Sequence, residues 1–190
     1  MGDIMCKPIL KDEISLRKLE LTDAEPMLEW MTDPDIYKNM QYDPEAQNLE
    51  KCRTFIRNSW EDRENLHCAI TNRQQEYLGT VSLKNIDRKN KNAEFAIALC
   101  PKAMGKGVSA SALREIMKKA FEEQNLNKVY LYVRSDNQRA VAFYKKNHLT
   151  YEGCFAEHLC VAGEYKDIYW FSLRKKEYEN WKSQVSGLGC

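Results

Sequence analysis

The chain has 190 residues, enough for one well-filled core, and its 29 basic residues almost cancel its 28 acidic ones. No overall field therefore draws it toward nucleic acid or an anionic membrane. No apolar stretch approaches the roughly 20 residues that span a bilayer, and the opening MGDIMCKPILKDE lacks the long apolar segment of a secretory signal, so a soluble, cytoplasmic protein is expected.

No repeat, low-complexity run or Pro/Gly/Ser linker divides the chain, so residues 1–190 are expected to form one domain. Seven cysteines, at 6, 52, 68, 100, 154, 160 and 190, show no Cys-x-x-Cys spacing. That argues against a disulfide framework and against a zinc module. Cys154, His158 and Cys160 come close in CFAEHLC, but a fourth ligand is missing, so no metal is expected.

In chain order, ISLRKL reads as a first strand. TDAEPMLEWM follows as a helix, with Thr22 and Glu25 at capping-box spacing and Ala24, Met27, Leu28 and Met31 on one face. NLEKCRTFIRNSW is a second helix, with Leu49, Cys52, Ile56 and Ser59 sharing a face. HCAIT, YLGTVSL and AEFAIAL are strands separated by short polar turns, which makes them antiparallel neighbours.

Next comes AMGKGVSASAL, where two glycines and a lysine precede a helical run. Glycine lets the main chain approach a ligand closely, and the first turn of a helix carries N–H groups without intrahelical partners. The arrangement suits a phosphate, although such a turn alone is more often an ordinary helix entry. Leu113, Ile116, Met117, Ala120 and Phe121 keep the spacing of an amphipathic helix lying on a sheet. KVYLYVR is a strand, NQRAVAFYKKN a helix with Asn137 at its N-cap, and YEGCFAEHL and DIYWFSL a hairpin through VAGE. KKEYENWKSQV is a last helix, ending near residue 186, with Tyr178, Trp181 and Val185 inward. The pattern predicts a mixed α/β sheet with helices on both faces and one strand–helix–strand crossover.

Asn137 and Tyr144 stand seven residues apart, about two helical turns, and so point the same way along one helix. In this context the chain resembles the GNAT superfamily of acyl-CoA N-acyltransferases, with greatest similarity to the RimJ/RimL-like branch. The resemblance rests on RKLELTDAEPMLEW, NAEFAIALCPKAMGKGVSASAL, NQRAVAFYKKNHLTYEG and GEYKDIYWFSL, and covers about residues 14 to 177. It implies a mixed, mostly antiparallel sheet of roughly six or seven strands with helices on both faces.

The family's phosphate loop, Gln/Arg-x-x-Gly-x-Gly/Ala, falls on Met104, Gly105, Lys106, Gly107, Val108 and Ser109. Met104 removes a side-chain donor and Ser109 adds a hydroxyl, while the main-chain N–H groups are unaffected by either change. Lys102 or Lys106 is expected to add charge. The resemblance further implies that Ile97, Ala98 and Leu99 offer main-chain groups to the pantetheine arm and thioester of acetyl-CoA, on a strand that splays from its neighbour. Asn137 would bind the pantetheine.

Amine attack on a thioester needs a base, an oxyanion holder and an acid for the departing thiolate. Glu94 matches the family's strand carboxylate, to take the amine proton directly or through water, against the plainer reading of a solvated strand carboxylate. Tyr144 matches the phenol that protonates the thiolate, against that of a core tyrosine. A relay through Cys100 is less favoured, since no histidine is placed to activate it. His148-Leu149 stands where relatives read Gly-Phe, so His148 is expected to take a left-handed cap conformation.

The expected reaction is direct acetyl transfer to a primary amine, on a protein N-terminus, an amino sugar or a small molecule. The partners are then acetyl-CoA and that amine, with no nucleic acid or membrane, and a homodimer would be ordinary for the family. A non-catalytic acyl-CoA-binding or sensing module is the alternative, made credible by Met104 and Ser109. Trp30, Tyr37, Met40 and Tyr42 lie where the family walls its acceptor cleft, and Asp33, Asp35 and Asp43 nearby would attract a cation.

Overall fold

A computed structural model describes residues 14–37 and 43–186. Seven strands form one sheet in the order β1-β2-β3-β4-β5-β7-β6. They are β1 (Ser15–Lys18), β2 (Leu66–Thr71), β3 (Tyr77–Asp87), β4 (Asn92–Leu99), β5 (Lys128–Arg134), β6 (Thr150–Val161) and β7 (Glu164–Arg174). Every pairing is antiparallel except β4 with β5. That parallel pair is joined by the expected crossover through α4 (Val108–Lys118), which continues as one wider turn over Lys119–Glu123. The other helices are α1 (Ala24–Met31), α2 (Pro34–Tyr37), α3 (Leu49–Ser59), α5 (Gln138–Lys146) and α6 (Lys175–Ser186).

Strand alternation sends two sets of side chains to opposite faces. On one face, Phe95 of β4, Leu131 of β5 and Phe171 of β7 join Leu113, Ile116 and Met117 of α4 and Tyr178, Trp181 and Val185 of α6 in a continuous core. All five of the periodic α4 positions and all three of the α6 positions expected from the sequence are buried. On the other face, Ala69 and Tyr77 meet Met27 and Trp30 of α1 and Cys52 and Ile56 of α3.

The start of α1 differs from its expected form. The reciprocal cap joins Glu20 and Asp23, two residues earlier than Thr22 and Glu25. Asp23 accepts the Glu20 N–H at 2.8 Å and is also gripped by Arg17, whose two terminal nitrogens donate at 2.7 and 2.8 Å. A carboxylate that is only 2 % exposed needs such partners, and the strand residue Arg17 supplies them. The expected inward set on α1 shifts as well: Leu28 and Met31 are only partly covered, while Trp30 turns in and donates to the Tyr77 hydroxyl at 3.2 Å.

The β6–β7 hairpin closes through Ala162 and Gly163, both at positive φ. That is the two-residue turn whose twist matches the flanking strands. His148 has φ 56°, in the left-handed region expected for it, and the N–H of Leu149 reaches back to the Tyr144 carbonyl at 3.1 Å to close α5.

Candidate active site

The sheet divides at its centre. Pairing between β4 and β5 is confined to Asn92–Lys128, Ala93–Val129 and Glu94–Tyr130. On its other side β4 stays in register with β3 through Val81–Ile97, Thr80–Ala98 and Gly79–Leu99. From Phe95 onward β4 thus keeps one strand neighbour, and Ile97 and Ala98 are only half-buried although their strand is central. This is the splay expected for residues 97–99, and it leaves main-chain groups on the β5 side of β4 for a ligand.

Gly79 helps hold the split open. A Cβ on it would lie 2.3 Å from the Ala98 carbonyl oxygen, so only glycine allows β3 to draw the end of β4 this close. The one signal of Gly79 in the sequence is a lone glycine inside the strand pattern YLGTVSL, which marks such a close approach.

The turn into α4 lies at the same end of β4. After Leu99, the short turn Pro101–Ala103 leads into Met104, and Gly105 and Gly107 adopt φ 75° and 79°. Gly107 is the N-cap of α4 and offers no side-chain cap. The first helical bonds run from the N–H groups of Ala110 and Ser111 to the Gly107 carbonyl. Among the described residues, the five successive N–H groups from Gly105 to Ser109 have no hydrogen-bond acceptor. A Cβ at either glycine would meet nothing within 4 Å, so their surroundings are open and they serve the left-handed turn itself. Open amides at a helix mouth form a site for an anion.

The two lysines expected to add charge differ. Lys102 is ion-paired at 2.5 Å with Glu76 of the β2–β3 turn, and that contact holds the Glu76 carboxyl below its usual range. Lys106 is half-buried in the loop and, among the described residues, pairs with no carboxylate.

Tyr144 reaches the split from α5. Its ring meets Phe95 edge-on at 6.3 Å, at the first β4 residue beyond the β5 pairing, and also packs on Phe171 at 5.8 Å. The residue is 9 % exposed, and burial pushes its phenol well above the ordinary value. The hydroxyl has no hydrogen-bond partner among the described residues. Asn137 caps α5 by accepting the Ala140 N–H at 3.2 Å through Oδ1, which leaves its amide N–H groups for a ligand.

Glu94 is the last β4 residue paired with β5, and it points to the face opposite Phe95. Glu94 and Tyr144 therefore flank the split from opposite faces of the sheet. Lys84 Nζ lies 2.7 Å from Glu94 Oε1, and Asn85 donates to Oε2 at 3.2 Å. Beside Glu94, Tyr130, Tyr132, Trp170 and Phe155 form a chain of ring contacts at 5.3 to 5.9 Å, on a part of that face outside the core built by α1 and α3.

Cys100 is 4 % exposed in the α1 core, and burial pushes its thiol up to about 11. A thiol so buried and protonated is a weak nucleophile. Cys154 and Cys160 pair with Tyr169 and Tyr165, four β7 residues apart, or about 13 Å along a strand, too far to share an ion. Among the described residues no group of three or more His, Cys, Asp or Glu is placed to hold a metal. Nor is any helix among them long and apolar enough to cross a membrane. Of the proposed acceptor wall, Trp30 is core, Tyr37 is half-buried at the end of α2, and Met40 and Tyr42 lie outside the described residues.

Known proteins share this fold. The acetyltransferase (GNAT) domain pattern matches residues 13–150. The chain belongs to the GNAT acetyltransferase family. Enzymes of this family take the acetyl group from acetyl-CoA, and the open amides, the split strand and the free phenol suit such a donor. The uncharacterized N-acetyltransferase p20 of Bacillus licheniformis is 28% identical over 171 residues, covering 88% of this chain and 96% of that protein. Spermidine N(1)-acetyltransferase of Vibrio cholerae is 23% identical, over 90% of this chain and 98% of its own length. A crystal structure of the Vibrio cholerae spermidine N-acetyltransferase with CoA and spermine superposes with a TM-score of 0.82 at 24% identity, covering 89% of this chain and 99% of that one, and so shares its fold.

Proposed function

We propose that this acetyltransferase moves the acetyl group of acetyl-CoA directly to a primary amine, with a polyamine as the first class of acceptor and an amino sugar or protein N-terminus after it. One observation supports the reading most: the five amides from Gly105 to Ser109 lie open at the end of a strand that has parted from its neighbour. They match the diphosphate of coenzyme A, while the β5 side of Ile97–Leu99 and the amide of Asn137 match the pantetheine arm.

The chemistry then divides between the two faces. The amine approaches over the face of Glu94, where the aromatic run Tyr130, Tyr132, Trp170 and Phe155 suits a cationic or aliphatic stem. Glu94, held by Lys84 and Asn85, orients the amine, and water carries its proton away. The nitrogen attacks the thioester carbonyl, the C–S bond breaks, and the Tyr144 hydroxyl gives its proton to the departing sulfur. Burial keeps that phenol protonated throughout the physiological range, as a donor requires. The buried Cys100 thiol favours one direct transfer over an acyl-cysteine step. The polyamine relative also makes the RimJ/RimL-like branch only one of several placements within the family.

Free-thiol release from acetyl-CoA, measured with spermidine, amino-sugar nucleotides and a ribosomal-protein N-terminal peptide, tests the acceptor order. Turnover with the peptide alone would overturn it. Tyr144→Phe keeps the packing and removes the proton, so kcat should fall by about a hundredfold or more with CoA affinity unchanged. Unchanged turnover would remove Tyr144 from the mechanism.

A further inference from the structure

The loop lacks the side-chain donor that the family pattern carries at position 104. Met104 is half-buried and packs against both cores, on either face of the sheet, so its side chain serves the fold. A cation nevertheless stands beside it. Arg139, in the first turn of α5, brings Nη1 to 3.6 Å from the Met104 sulfur. A thioether is a weak acceptor, and among the described residues this exposed guanidinium has neither a carboxylate nor a carbonyl partner.

Its position is electrostatically unfavourable in the free protein. The start of a helix carries partial positive charge, which disfavours a cation there, and neither α4 nor α5 has an acidic residue in its first turn to offset it. The mouths of both helices thus present donors and positive charge, and Arg139 connects them across the Met104 side chain. Lys102 cannot serve in the same way, because Glu76 neutralises it.

Resting on the reading of Gly105–Ser109 as the diphosphate loop, we propose that Arg139 is the side-chain donor to that diphosphate, replacing from α5 the group that Met104 does not supply. A guanidinium forks onto two phosphate oxygens, and the methionine side chain beneath it holds the fork at the loop. A Gln or Arg at 104 would occupy the same space, so the two solutions are alternatives.

Calorimetric titration of the full chain with CoA, dephospho-CoA and pantetheine tests this without turnover, on the wild type, Arg139→Ala, Met104→Gln and the double variant, each checked by thermal melting. Arg139→Ala should weaken CoA and dephospho-CoA by about tenfold to a hundredfold and leave pantetheine unchanged. Adding Met104→Gln should recover most of that loss in the Arg139→Ala background and gain little in the wild type. If Arg139→Ala binds CoA like the wild type, while the wild type still prefers CoA to pantetheine, the role of Arg139 is overturned and the loop reading stands. Equal weakening of all three ligands, or a loss confined to CoA and absent with dephospho-CoA, also overturns it. A wild type that does not prefer CoA to pantetheine would overturn the loop reading itself.

Discussion

The mouths of α3 and α4, two helices of 11 residues each, are built in opposite ways. Asn48, in extended conformation, opens α3 and accepts the Lys51 N–H at 3.0 Å, with Glu50 in the first turn to meet the helix dipole. Gly107, left-handed and without a capping side chain, opens α4, with no acid in the first turn and no acceptor for the amides before it. A helix start that serves only the fold satisfies its own N–H groups, whereas one that leaves them open keeps them for something outside the chain. The start of α5 stands between the two, since Asn137 caps with its oxygen, keeps its N–H groups and has Arg139 beside it.

The contrast breaks first, and most severely, at Gly107. Gly107→Asp places a carboxylate at the open mouth, in space that the structure leaves clear and in a left-handed conformation that Asp tolerates better than most residues. Like charges 4 Å apart at an effective dielectric of 20 repel by roughly 4 kcal/mol, so CoA affinity should fall at least about a hundredfold while the melting temperature changes little. Retained affinity would place the anion elsewhere.

A smaller effect sharpens the comparison. Asn48→Ala should cost about 1 kcal/mol of stability, read by urea unfolding, and leave CoA binding untouched. Asn137→Ala should cost a similar amount and weaken CoA several-fold as well, because the same side chain would then cap α5 and hold pantetheine. A purely structural Asn137 would lose stability alone.

Much of this architecture was legible in the sequence because it follows from local pattern. The 3.6-residue spacing of Leu113, Ile116, Met117, Ala120 and Phe121 requires a buried face wherever the helix lands, and the β-branched and aromatic run KVYLYVR is strand β5 over its whole length. The glycine loop and the left-handed His148 were legible for the same reason, since each depends on a few adjacent residues. What was not legible depends on distant partners. Asp23 became the cap of the first turn because Arg17 reaches it from β1. Trp30 became core because Tyr77 of β3 accepts its N–H. Arg139 meets Met104 from 35 residues away, and its one local signal was a cation at the wrong end of a helix.

The central claim is that the amides of Gly105–Ser109 receive the diphosphate of coenzyme A. Titrating the ¹⁵N-labelled protein with CoA and following its amide resonances and hydrogen exchange tests it most directly. The account predicts that those five amides shift and gain protection, while the Asn48–Lys51 amides at the mouth of α3 do neither. Saturation with CoA that leaves Gly105–Ser109 unmoved and as quick to exchange as before would contradict it.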